Sequence, residues 1–125
     1  MLKPILPDPD SLSLEQLVAQ MIVVRTTGHL FDHEIEYPAW EATNAQMEHY
    51  ISDLGIGGVI LLGGSGVEVA LRCQAFQAMA EIPLLMSADI EEGVGQRFSG
   101  AIWFPPPMAL GEIARTDLAL ARTYA

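Results

Sequence analysis

Three short apolar runs divide the chain, "QMIVVRTTG", "GGVILL" and "IPLLMSA", and the segments between them carry apolar residues at helical spacing. The first run is β-branched and predicts a buried strand around Met21 to Arg25. Ahead of it, Ser13 and Gln16 have capping-box spacing, so a short helix opens there. "GHLFDHEIEYPAWEA" shows no period and reads as a long loop. Thr43 and Gln46 form a second capping box. Met47, Tyr50, Ile51 and Leu54 then make one helical stripe, which Gly55 ends. "GGVILL" is the second strand and "GGSG" turns the chain. Val69, Cys73, Phe76 and Ala80 form the next stripe, with Glu68, Arg72, Gln74 and Gln77 off it. Pro83 breaks that helix, "LLMSA" is the third strand, and a loop and further helix follow. Strands this uniformly apolar point to a parallel sheet in an α/β fold.

Composition narrows the function classes. A chain of 125 residues predicts one domain, and 50% apolar residues supply a core. Residues 1–12 read as a flexible, proline-bearing lead before a unit spanning 13–125. The net charge of −10 argues against nucleic acid and anionic membrane surfaces as partners and favours a neutral or cationic small ligand. The single cysteine, Cys73, excludes an internal disulfide and any multi-cysteine zinc site. The N-terminus lacks the unbroken apolar core of a signal peptide, and no apolar run has bilayer length, so the default expectation is a soluble cytoplasmic protein.

In parallel α/β folds ligands sit at the carboxyl ends of the strands. Asp89 stands at such an end, opening "DIEEGVGQRF"; Arg25 and Thr26 follow the first strand, and "GGSG" follows the second. Position alone leaves Asp89 two readings, ligand-binding carboxylate or turn former. "VILLGGSGVEVAL" has the strand–turn–helix context of a phosphate site, but Val69 stands where the third glycine of a dinucleotide fingerprint belongs. No lysine follows the glycines as in a Walker A loop. A calcium loop from Asp89 lacks its turn glycine and final glutamate. His29, Asp32, His33 and Glu34 cluster in sequence but not in a metalloprotease pattern, and read as a solvated loop. Trp40, Trp103 and Phe104 offer apolar surface to a sugar or to packing, with Trp103 placed near the Asp89 loop.

"IGGVILLGG", "IPLLMSADIEEGVGQRFSG" and "FPPPMALG", in that order, resemble the N-terminal domain of family 3 glycoside hydrolases, as does the opening "LSLEQLVAQMIVV". The resemblance runs from about Leu12 to the end. It implies a (β/α)8 TIM-type barrel, of which this chain holds the first three or so βα units. It also implies a retaining exo-β-glycosidase acting on β-N-acetylglucosaminides or β-glucosides, with no cofactor. The family loop is commonly D-x-E-G-G-x-V-x-R-F. Asp89, Glu91, Gly93, Arg97 and Phe98 match it, while the stretch holding Glu92, Val94 and Gly95 departs from it. The resemblance assigns sugar-hydroxyl binding to Asp89 and binding to Arg97, which would touch sugar oxygens or hold the loop through Glu91 or Glu92. No K-H-x-x-G-H segment occurs, so the nucleophile and acid/base are expected beyond residue 125, and the chain alone is expected to be inactive. Open sheet edges would then favour self-association. The alternatives are a nucleotide-binding module of Rossmann or flavodoxin type, and a non-catalytic remnant.

Overall fold

The computed structural model describes residues 6–124. Its elements in chain order are α1 (Leu14–Gln20), β1 (Val23–Thr27), α2 (Asn44–Ser52), β2 (Gly58–Leu62), α3 (Gly66–Met79), β3 (Leu85–Ala88), α4 (Pro107–Thr116) and α5 (Leu118–Tyr124). The flexible lead expected over residues 1–12 lies partly outside the described residues; within them, Pro9–Ser11 form a 3-10 turn capped by Asp8. No helix among the described residues is long and apolar enough to cross a membrane.

The three strands form one parallel sheet in the order β1-β2-β3. Val23 pairs with Gly58 and Gly58 with Leu85, so the rows of the sheet are fixed across all three strands. Parallel neighbours joined through α2 and α3 are the α/β pattern of successive βα units in a barrel. Two of the helices begin where their capping boxes put them. Ser13 accepts from the Gln16 amide, and Thr43 from the Gln46 amide, with each glutamine reaching back to its cap. α3 has the same device at Ser65 and Glu68, hidden in the sequence behind the glycines of the turn.

Alternation along the strands separates two faces. Val59 and Leu61 belong to the core with Met47 and Ile51 of α2 and Phe76 of α3; Val24, Met86 and Ala88 pack against that cluster. The opposite row carries Arg25, Thr27, Ile60, Leu62, Leu85 and Ser87, and Leu85 there is exposed. Helices therefore cover one face, while polar and apolar groups share the other. β3 is set from the helix side: the Gln77 amide donates to Leu84 O at 2.7 Å and accepts from Leu84 N at 3.0 Å. The outer edge of β1 is met by Ala42, whose amide donates to Arg25 O at 2.9 Å.

Three expectations need correction. β1 runs Val23–Thr27 and not Met21 to Arg25, because the preceding helix consumes Gln20 and Met21 closes it in a helical conformation. Arg25 and Thr26 thus lie inside the strand. Leu54 falls outside the α2 stripe: the helix ends at Ser52 and Leu54 is exposed. Arg72, off the apolar stripe of α3, is nevertheless only 4% exposed. Its guanidinium donates to Asn44 Oδ1 at 2.6 Å and Thr26 Oγ1 at 3.2 Å, and lies 4.7 Å from the Phe76 ring centroid. Burial pushes its pKa down.

Candidate functional site: the carboxyl ends of the strands

Thr27 and Leu62 close β1 and β2 at the rim of a cavity of about 90 Å³. Arg25, His29, Glu34, Tyr37 and Arg97 also line it. Half of the wall comes from the aperiodic segment between β1 and α2. A loop that long inside a compact unit is an unusual expense of chain entropy and signals function.

Arg25 is held on several sides. Nη2 donates to Glu41 Oε1 at 3.1 Å, and the Glu41 side chain is only 2% exposed. The Tyr37 and Trp40 rings lie 5.3 and 6.0 Å from the guanidinium carbon, within cation–π range. Trp40 thus contributes to a clamp on Arg25. Tyr37 has its pKa raised, chiefly by its hydrogen bond with Glu36.

The loop after β3 positions both residues assigned to sugar binding. Asp89 continues the Leu85–Ser87 row, which does not face the helices. Arg97 Nε donates to Asp89 O at 2.8 Å and Arg97 Nη2 lies 3.3 Å from Asp89 Oδ2. The expected Glu91 or Glu92 partner for Arg97 is therefore replaced by Asp89. Those glutamates have other neighbours: Gln96 Oε1 accepts from both of their amides, and Glu92 Oε2 accepts from Trp103 Nε1 at 2.7 Å. Trp103 fastens the loop while remaining exposed.

The glycines of this loop are required by geometry. Gly93 sits at φ +81, and a Cβ there would come 2.4 Å from Phe104 Cδ2. A Cβ on Gly95 would fall 2.5 Å from Ala101 O. Gly95, one of the departures from the family loop, thus permits the close return of residues 101 and 102.

A second cluster joins three elements. His29 Nδ1 lies 3.6 Å from Glu34 Oε1 and 3.5 Å from Glu68 Oε1. Asp32 and His33, adjacent in sequence, go elsewhere: Asp32 accepts from the Asn44 amide and His33 stacks on Phe31. Spacing along "HLFDHE" gave no hint of Glu68; the available signal was its capping-box position after Ser65. One ligand atom from each of His29, Glu34 and Glu68 lies within 4.8 Å of the others, as a metal site would require. The hydrogen bonds oppose that use. His29 Nε2 accepts from the Gly64 amide at 3.1 Å, so the neutral ring carries its proton on Nδ1, where a metal would need a lone pair.

Glu68 also bears on the phosphate reading. Its Oε2 accepts from Ser65 N and Ser65 Oγ, both at 2.8 Å, and these bonds lower its pKa to about 2. A carboxylate fixed on the first turn of α3 sets a negative charge beside the helix end that a phosphate would need, and opposes its binding there.

The Glycosyl hydrolase family 3 N terminal domain matches residues 13–125. No curated protein matches the chain. A match of this extent, over a parallel βα unit whose third strand leads into the loop of Asp89 and Arg97, shows that the chain belongs to glycosyl hydrolase family 3 through its N-terminal domain.

Proposed function

We propose that the chain is the sugar-binding portion of a retaining exo-β-glycosidase acting on β-N-acetylglucosaminides or β-glucosides. The observation that carries this reading is the Arg97–Asp89 clamp beyond β3. Arg97 engages the backbone oxygen of Asp89 and one carboxylate oxygen, which leaves Oδ1 open to a ligand. An ionised carboxylate accepts only, so it suits neighbouring sugar hydroxyls, which donate. Each such bond contributes about 1.5–3 kcal/mol. An epimer that turns one hydroxyl away loses that bond, and discrimination follows. Arg97 fixes the carboxylate before sugar arrives, so less ordering remains to be done on binding.

Retaining hydrolysis needs a nucleophile and an acid/base about 5–5.5 Å apart. Asp89 and Arg97 have the binding role in this scheme, and the 125-residue chain by itself is expected to give no turnover of chromogenic β-glycosides.

In the full-length protein, Asp89→Asn should preserve the fold and raise the barrier that kcat/KM reports by about 2–3 kcal/mol, because a neutral amide is the poorer acceptor. Steady-state kinetics on β-N-acetylglucosaminide and β-glucoside substrates check this. Unchanged values on both classes would remove Asp89 from the site.

A further inference from the structure

His29 touches neither Asp89 nor Arg97 through any hydrogen bond, yet it stands at the head of a chain that reaches their loop. Its Nε2 accepts from Gly64 N at 3.1 Å, and Gly64 O accepts from Ser99 N at 2.9 Å. Ser99 follows closely on Arg97, which binds Asp89. Ser65 and Ser99 form an isolated parallel bridge at the same place. The Gly63–Gly64 turn thus presents one amide to the imidazole and one carbonyl to the Asp89 loop.

We propose that His29 is a positioning residue for the Asp89 loop, and that its protonation at Nε2 releases the Gly64 amide and loosens the site. The functional part of this inference rests on the sugar-binding reading given above.

The chemistry is a single proton transfer from solvent to the Nε2 lone pair. The neutral ring accepts there; the imidazolium donates there and faces another donor, Gly64 N–H. Glu34 and Glu68 face the Nδ1 side of the ring. Glu68, held at about 2, stays ionised throughout the histidine range. Glu34 Oε2 is buried without a hydrogen-bond partner, which adds uncompensated acceptor character. The other charged groups of the cavity wall are Arg25, Glu36, Glu41 and Arg97, and Tyr37 is the remaining titratable one. Arg25 is paired with Glu41, and Arg97 with Asp89.

The turn is built to respond. Gly63 and Gly64 both sit at positive φ, +74 and +92. The peptide between them can rotate without a Cβ obstructing it, bringing Gly63 O towards the new Nε2–H. In the neutral state that oxygen is pressed on Gly28, where a Cβ would lie 2.0 Å from it.

The test is a pH titration of the 125-residue chain by amide and imidazole NMR, on wild type, His29→Gln and His29→Leu. Glutamine offers an acceptor oxygen that does not titrate; leucine offers none. In wild type the Gly64 and Ser99 amides should shift with the same midpoint as the His29 ring. In His29→Gln those shifts should vanish, although the carboxylates of the cavity wall are unchanged. In His29→Leu both amides should occupy the acid-like position at every pH. Equal amide titrations in wild type and His29→Gln would overturn the proposal, as would amides that stay still while the His29 ring titrates.

A second arm measures affinity for methyl β-N-acetylglucosaminide and methyl β-glucoside in the full-length protein. Wild-type affinity should fall about fivefold to tenfold on protonation of His29, the size expected for one lost hydrogen bond. His29→Gln should remove the His29 part of that fall. If the amides respond as described and neither sugar binds at any pH, the positioning of the loop stands and the glycosidase reading fails.

Discussion

On the helix side of the sheet, Arg72 is bonded to Asn44 and Thr26, both uncharged, and packs on a phenylalanine ring. On the side of the strand ends, Arg25 is bonded to the carboxylate of Glu41 and flanked by a tyrosine and a tryptophan. Thr26 and Arg25 are neighbours on β1, so the two networks are separated by the thickness of one strand. Each guanidinium leaves its Nε buried without a partner. The difference lies in charge. The Arg72 network is a cation satisfied by neutral oxygens, and it joins α2, α3 and β1 into one packed layer. The Arg25 network is an ion pair in which the acid is the more buried member. The first serves the fold, and the second fixes charge at the place where ligand is expected.

Charge removal should separate the two sharply. Arg25→Ala leaves Glu41 as a buried unpaired carboxylate and should cost about 3 kcal/mol at neutral pH. The loss should shrink in Arg25→Ala/Glu41→Gln, which strands no anion. Arg72→Ala removes packing and hydrogen bonds but strands no anion, and should cost about 2 kcal/mol. Urea unfolding of the three variants at neutral pH checks the contrast. A double variant no more stable than Arg25→Ala would show that the stranded carboxylate is not the cause of the loss.

Smaller effects sharpen the picture at the start of α3. Ser65→Ala removes the cap and should cost about 1 kcal/mol in the same unfolding assay. Glu68→Gln should give the smallest loss, present at neutral pH and fading in acid. The folded pKa of Glu68 is lowered from 4.5 to about 2, so its contribution is complete above the unfolded value and fades as pH falls from one to the other. Stability of the glutamine variant should therefore vary less over that acid window. An unchanged acid limb would show that the capping bonds do not outlast the transient opening of the turn.

The helix side of this comparison was largely legible in the sequence. Met47, Ile51 and Phe76 sit on stripes whose period is the helix period, and all three are buried. The capping boxes at Ser13 and Thr43 formed because both partners lie within one turn of each other. Arg72 was not legible: a stripe reports which side of a helix is apolar, and a long side chain can leave its own side to reach Asn44 and Thr26. The strand ends were less readable for the same reason on a larger scale. Asp89 stood out by its place at the end of a strand, which left it two readings, and Arg97 through family resemblance; their mutual bond depends on the path of the loop between them. His29, Glu34 and Glu68 converge through space from three elements, so no window of sequence contains the pattern.

The Gln77 amide does for Leu84 what a neighbouring strand would do, offering one donor and one acceptor to its backbone. It therefore acts as a ruler for β3, read from the far end of a helix. A one-residue slip of that strand would turn its side chains to the opposite face, and the loop beyond it would begin with its carboxylate on the side that the helices cover. The placement of Asp89 is in this sense decided before the chain reaches it, by a neutral amide with no part in binding. Sequence variation in the mouth can alter what is bound, while the instrument that aims the mouth lies in the packing on the other side.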